Sequence, residues 1–188
     1  MTTAADPIEL AREKWLAAWP EALAIWSRFT KLREPNLCLT TEVAKKEGLT
    51  DSFAMIRLTD QAVVVNVEEV VENGIEDFPL EVLAHEIGHH VYVPGSLLEH
   101  GRMLARVRRG LPQREDYAPL VANLYADLLI NDRLQRQAGL DIAGVYRAIT
   151  HGSSNRFWTL YLRIYEILWG RQRGSLAAGK FDDVLEGD

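Results

Sequence analysis

The stretch that decides how this chain is read is Pro79-Leu80-Glu81-Val82-Leu83-Ala84-His85-Glu86-Ile87-Gly88-His89-His90-Val91. On an α-helix, residues four apart lie about 40° from each other around the axis, so His85 and His89 share one face. Neutral imidazoles at that spacing suit a zinc ion. Glu86 projects beside the pair, placed to take a proton from a water that the metal activates. Leu80, Leu83, Ile87 and Val91 fall on a roughly opposite arc, the face that such a helix buries. Gly88 leaves space for a close neighbour. The spacing therefore predicts a metal-binding helix over 79–92 with its histidines looking into a cleft.

Upstream, Asp6-Pro7-Ile8-Glu9 reads as a helix start, with Asp6 as cap and Pro7 at the first position. Apolar residues at helical spacing, Trp15, Leu16, Trp19, Leu23 and Trp26, extend a helix over 6–33, and Pro20 is expected to break or kink it. Between 35 and 71 the pattern turns to short β-forming runs: Leu37-Cys38-Leu39, Phe53 to Leu58 and Ala62 to Val67. Thr59-Asp60-Gln61 suggests a hairpin between the last two, and the expectation is a small antiparallel sheet. Downstream everything reads as helix, near 79–92, 96–109, 115–137, 141–150 and 154–169. Pro94-Gly95, Gly110, Gly139 and Gly170 punctuate the series. The fold class expected is α+β, a sheet followed by a helical bundle, with one domain over 1–170 and a flexible polar tail over 171–188.

Composition narrows the function. The 188 residues include 21 basic and 27 acidic ones, a net charge of −6, which argues against a nucleic-acid or anionic-membrane binder. With 47% hydrophobic and 26% charged residues the chain is globular in character. A single cysteine, Cys38, excludes an internal disulfide framework. No apolar run approaches the roughly 18 residues of a membrane span. Met1-Thr2-Thr3-Ala4-Ala5-Asp6 lacks the basic and apolar stretches of a signal peptide, so the expected location is the cytoplasm.

Two histidines leave a third ligand to find. The extended pattern His-Glu-x-x-His-x-x-Gly-x-x-His fails, because Tyr92 and Gly95 occupy its last two positions. Glu115 or Asp116 lies at a plausible distance along the chain, and Glu99 and His100 are closer. Asp127 is the better candidate. On a wheel of about 100° per residue with Asn123 at zero, Asp127 lies near 40° and Asn131 near 80°. Leu120, Leu124, Ile130 and Leu134 share that arc. A carboxylate on an apolar stripe is costly unless it is paired or binds metal. The alternative is a core network in which Asp127 caps another helix or pairs with an arginine.

His85-Glu86-x-x-His89-His90, followed about forty residues later by Asn123-x-x-Ala126-Asp127-x-x-Ile130-Asn131-x-x-Leu134, resembles the metallopeptidase domain found ahead of von Willebrand A-like domains in bacterial proteins. Those proteins are often encoded with MoxR-type ATPases. The likeness spans roughly residues 60–137. It implies a zincin-like fold, peptidase activity and Asp127 as third zinc ligand. Asn123 and Asn131 would then hold the two helices together beside the ligands, and a MoxR-type ATPase or von Willebrand A-like protein would be a partner. Nothing after residue 137 carries the Asp-x-Ser-x-Ser site of a von Willebrand A domain. A second likeness, to the ImmA/IrrE regulatory peptidases, runs through His-Glu-Ile-Gly-His and Ala122-Asn123-x-Tyr125-Ala126-x-Leu128-Leu129. There the ligand glutamate would fall on Val121, which cannot bind zinc.

The expected function is a zinc-dependent peptidase acting on a peptide or protein substrate, with Glu86 as general base. Tyr146, His151 and Tyr161 are candidates to stabilise the transition state. The Val63–Val67 strand, if it is the sheet edge, could bind an extended peptide by main-chain hydrogen bonds. The competing expectation is a metal-stapled scaffold without turnover, its fourth metal position closed by His90 or His100.

Overall fold

The computed structural model describes residues 6–50, 52–149 and 156–176. Among them are eight α-helices and a three-stranded sheet, an α+β arrangement that is mostly helical. Helix α1 (Pro7–Trp26) starts at Asp6, whose side chain accepts from the Ile8 N–H. It runs unbroken through Pro20 and stops short of residue 33. Pro20 is exposed, so the hydrogen bond its ring removes falls on the solvent side, where water replaces it.

Strands β1 (Asn36–Cys38), β2 (Ala54–Arg57) and β3 (Ala62–Asn66) lie in the order β1-β3-β2. The expected hairpin joins β2 and β3, which pair antiparallel from Ala54↔Val65 to Arg57↔Ala62. The sheet is mixed rather than antiparallel, because β1 runs parallel to β3, with Asn36 opposite Val64. The connection from β1 to β3 is long enough for a crossover, since it includes α2 (Thr41–Lys46) and the whole of β2. Strand β3 is consequently central, with every residue buried, and cannot serve as the peptide-binding edge. That edge is β2.

Two short helices escaped the sequence reading. Thr40 caps α2 by accepting from Val43 N–H, and Asn66 caps α3 (Val67–Glu72) by accepting from Glu69 N–H. Their side-chain caps stand in for helical periodicity, which six residues are too few to display.

Helix α4 (Pro79–Val91) is the hub. On one side α1 lays Trp15, Trp19 and Ala22 into the core that also holds Leu83, Ala84 and Ile87. Leu83 and Ile87 are fully buried, and side chains of that size contribute roughly 1.5–3 kcal/mol each. Leu80 is only half-buried and Val91 is exposed, so the buried arc is narrower than the wheel predicts. Helix α5 (Leu97–Gly110) buries no residue, and a 3-10 turn (Glu115–Tyr117) leads into α6 (Ala118–Arg133). A π-helical turn, Leu134–Ala138, ends at Gly139 in the left-handed region, φ 73°. Helices α7 (Ile142–Ile149) and α8 (Arg156–Leu168) complete the bundle.

Within the expected tail, residues 172–175 are exposed, but Leu176 is anchored. Leu176 is 2% exposed, and the N–H groups of Gly174 and Leu176 donate to the fully buried carboxylate of Glu166. The rest of the proposed tail lies outside the described residues. No helix among the described residues is long and apolar enough to cross a membrane.

Candidate metal centre

Helices α4 and α6 meet at Gly88. A Cβ there would come within 2.7 Å of Trp26 Cζ2 and 2.8 Å of Ile130 Cγ2, so only glycine allows α6 this close. The close approach brings Asp127 of α6 over the two histidines of α4.

His85, His89 and Asp127 form the one cluster of potential ligands with mutual convergence among the described residues. His85 Nε2 and His89 Nε2 are 3.2 Å apart. Asp127 Oδ1 lies 3.4 Å from the first and 3.2 Å from the second. Ligands about 2.0–2.1 Å from a tetrahedral zinc stand about 3.3 Å from each other. The same bond lengths at the right angles of an octahedral site give about 3.0 Å. The triangle matches the tetrahedral set better.

The outer hydrogen bonds decide what those atoms present. Asn131 Nδ2 donates to the hydroxyls of Tyr146 (2.9 Å) and Tyr165 (2.8 Å). Its Oδ1 is thereby turned to His85 Nδ1, 2.7 Å away. His89 Nδ1 lies 3.1 Å from the Val93 carbonyl. Both acceptors require N–H at Nδ1, so in the neutral rings both Nε2 atoms carry lone pairs. These lone pairs face each other and Asp127 Oδ1, a buried oxygen that lacks a hydrogen-bond partner. Three electron-pair donors converging on one point repel unless a proton or a metal ion lies between them, and the donor set is one zinc accepts.

Burial favours the neutral His85 ring, but the Asp127 carboxylate outweighs it and the ring is pushed up to about 9. Burial likewise opposes charge on Asp127, and the two histidines overcome it, holding the carboxyl down at about 2. Both shifts mark the site as a sink for positive charge. Asn123 Nδ2 donates to Asp127 Oδ2 at 3.0 Å, which leaves Oδ1 as the atom aimed at the histidines.

Glu86 is only 7% exposed. Burial pushes its carboxyl above the usual range, the two histidines oppose that rise, and the Ile56 N–H hydrogen bond supports the charged form. That N–H faces the carboxylate from the sheet edge. Phe53 C=O accepts from Asn66 N–H at 2.8 Å, so the alternate residues Ala54 and Ile56 turn their backbone groups away from β3.

No family model, curated protein or solved structure matches this chain. The site must therefore be read from its own chemistry.

A cleft of about 450 Å³ opens onto Glu86 and all three ligand residues. Its walls are β2, both ends of α4, α6, α7 and Trp158 of α8. Tyr146 lines it, and so does His100, which reaches it from α5. The other candidates are elsewhere. Glu115 and Glu99 are exposed, the latter paired with Arg102. Neither His90 nor His100 joins the ligand cluster. Tyr161 is buried with its hydroxyl 2.8 Å from that of Tyr165. His151 lies outside the described residues. Leu120 and Asn123 are exposed rather than core-facing; Asn123 lies at the cleft, and the first turns of α6 bury Ala118 and Ala122 instead.

Ile56, Val93 and Tyr165 were not foreseen. Each acts through a backbone group or a buried hydroxyl brought in by long-range packing, for which local spacing has no signal.

Proposed function

We propose that this protein is a metal-dependent hydrolase, specifically a zincin-like peptidase, in which His85, His89 and Asp127 hold zinc and Glu86 is the general base. The observation that carries the reading is the convergence of two imidazole lone pairs and an orphaned buried carboxylate oxygen beside a second buried carboxylate on an open cleft. The resemblance to the metallopeptidase domain associated with von Willebrand A-like proteins supports it, because Asn123 and Asn131 of α6 hydrogen-bond Asp127 and His85. By the same resemblance, a MoxR-type ATPase or von Willebrand A-like protein is the partner to test first.

A zinc ion held there would polarise a peptide carbonyl and bring the pKa of water near neutrality. The protein does the rest. Glu86, faced by the Ile56 N–H, takes a proton from water as its oxygen bonds to the carbonyl carbon. It passes that proton to the amide nitrogen as the C–N bond breaks. Of the three candidate donors to the developing oxyanion, Tyr146 lines the cleft. Burial pushes its hydroxyl far up, so it stays protonated, and its proton, directed at the Tyr165 hydroxyl 3.3 Å away, would turn to the oxyanion. An extended substrate would lie along the open side of β2.

A purely structural metal site has no use for a buried carboxylate at an open cleft, which disfavours the scaffold alternative. Glu86→Gln separates the two. The variant should retain about one zinc per chain by elemental analysis, since Glu86 is not a ligand, while hydrolysis of a responsive peptide falls about 10²–10⁴-fold. Equal turnover by both proteins would refute the mechanism.

A further inference from the structure

Every side chain lining the cleft bears on which peptide could enter it. Opposite the ligands, α7 presents Ile142, Val145 and Ile149, and Trp158 of α8 stands with them. Across the cleft, Met55 and Ile56 of β2 add a second apolar wall. The Trp158 ring is 5.4 Å from Tyr161 and 6.0 Å from Tyr146, tilted against both, so this wall is braced by aromatic packing rather than loosely hung. Apolar surface of this kind accepts a bulky aliphatic or aromatic side chain and gains by excluding water from it.

The charged residues point the same way. The carboxylates of Glu81, Glu86 and Asp127 line the cleft, whereas no lysine or arginine does among the described residues. Recognition of a substrate's C-terminal carboxylate calls for a cation, most often a bidentate arginine. Like-charge repulsion from Glu81, one helical turn before His85, also penalises acidic side chains near the bond to be cut.

Resting on the peptidase reading above, we propose that the substrate is an extended polypeptide segment cut internally beside a bulky apolar residue, and that acidic residues and terminal carboxylates are turned away. Ile149 is the specificity-determining position best suited to testing. It is half-buried at the cleft, so its replacement disturbs the core less than that of Ile142 or Val145.

The experiment uses the full chain with its zinc content measured. The probe is a library of decapeptides, each made both with free ends and acetylated at one end and amidated at the other, with cleavage sites read by mass spectrometry. Blocked peptides should be cut internally, and leucine, isoleucine, phenylalanine or methionine should be favoured over aspartate or glutamate beside the bond by 10-fold or more, the scale typical of a side-chain pocket. Ile149→Arg should lower kcat/KM for the apolar sequences about 10-fold and relax the rejection of glutamate. Ile149→Ala should lower it less without admitting glutamate, and Glu81→Gln should narrow the gap between neutral and acidic peptides. Cleavage that requires a free C-terminus, a preference for acidic residues, or the same profile for wild type and a folded Ile149→Arg would overturn the proposal while leaving the peptidase reading intact. No product from any peptide by zinc-loaded protein would overturn both. Should Ile149→Arg not fold, the Ile149→Ala and Glu81→Gln profiles decide, and profiles identical to wild type overturn the proposal.

Discussion

His85 Nδ1 and Asn131 Oδ1 stand 2.7 Å apart, and the amide nitrogen of the same asparagine donates to Tyr146 and Tyr165. This pairing links the metal helix to the bundle. Two hydroxyls set the direction of the Asn131 amide, the amide sets the tautomer of His85, and the tautomer leaves Nε2 free to bind a cation. Outer hydrogen bonds of this kind hold a ligand ring in one orientation and raise its basicity.

Replacing Asn131 should therefore be felt twice. Asn131→Ala should weaken zinc binding about 10–100-fold, measured by competition with a chromophoric chelator. It should also destabilise the metal-free protein by about 1–3 kcal/mol in urea unfolding, because buried hydroxyls lose a partner. Unchanged affinity would mean that the His85 tautomer is set by something else.

Glu115 sits in the 3-10 turn ahead of α6 and Asp127 in the second half of that helix, and only Asp127 aims an unpartnered oxygen at the histidines. Asp127→Ala should abolish stoichiometric zinc, as should His85→Ala and His89→Ala. Glu115→Ala should retain it. The reverse pattern in elemental analysis would transfer the third ligand to Glu115.

Gly88 is a packing requirement of the site. In Gly88→Ala the new methyl meets the Trp26 ring and Ile130, and relieving that contact requires α4 and α6 to part. Overpacking of this kind costs about 1–3 kcal/mol. Thermal unfolding should record the loss, and zinc affinity should fall with it because the two ligand-bearing helices separate. Wild-type stability and affinity together would show that the interface yields without moving the ligands.

At the β2–β3 hairpin, the Arg57 side chain beside Asp60 holds that carboxyl down at about 2, with further support from the Ala62 N–H and Arg33. A carboxyl depressed in the folded state stabilises it above the unfolded value, 3.8, and loses that contribution as pH falls towards 2. The urea midpoint of wild type should thus exceed that of Asp60→Asn by a constant small margin above pH 3.8. The gap should close on acidification through pH 2. A margin independent of pH would remove the ion pair as its cause.

What the amino-acid sequence determines here is mostly local. The four-residue spacing of His85 and His89 puts them on one helical face whatever surrounds them, and the position of Asp127 on the stripe of α6 follows from the same 3.6-residue period. The turn residues Thr59 to Gln61 likewise place a hairpin, and β3, apolar on both faces, is a strand the fold must bury. Other features required the assembled molecule. The pairing of β3 with both β1 and β2 buries it in the centre and leaves β1 and β2 as the two edges, a choice between strand orders that short apolar runs do not encode. The Ile56 N–H on Glu86, the Val93 carbonyl on His89 and the three-tyrosine network behind Asn131 involve partners distant along the chain. Leu176 is drawn from an otherwise polar segment because the buried Glu166 carboxylate needs backbone donors. Helical periodicity acts over a few residues and is written into the order of side chains. The satisfaction of buried polar groups depends on which surfaces meet, and that is settled only when the helices and the sheet pack together.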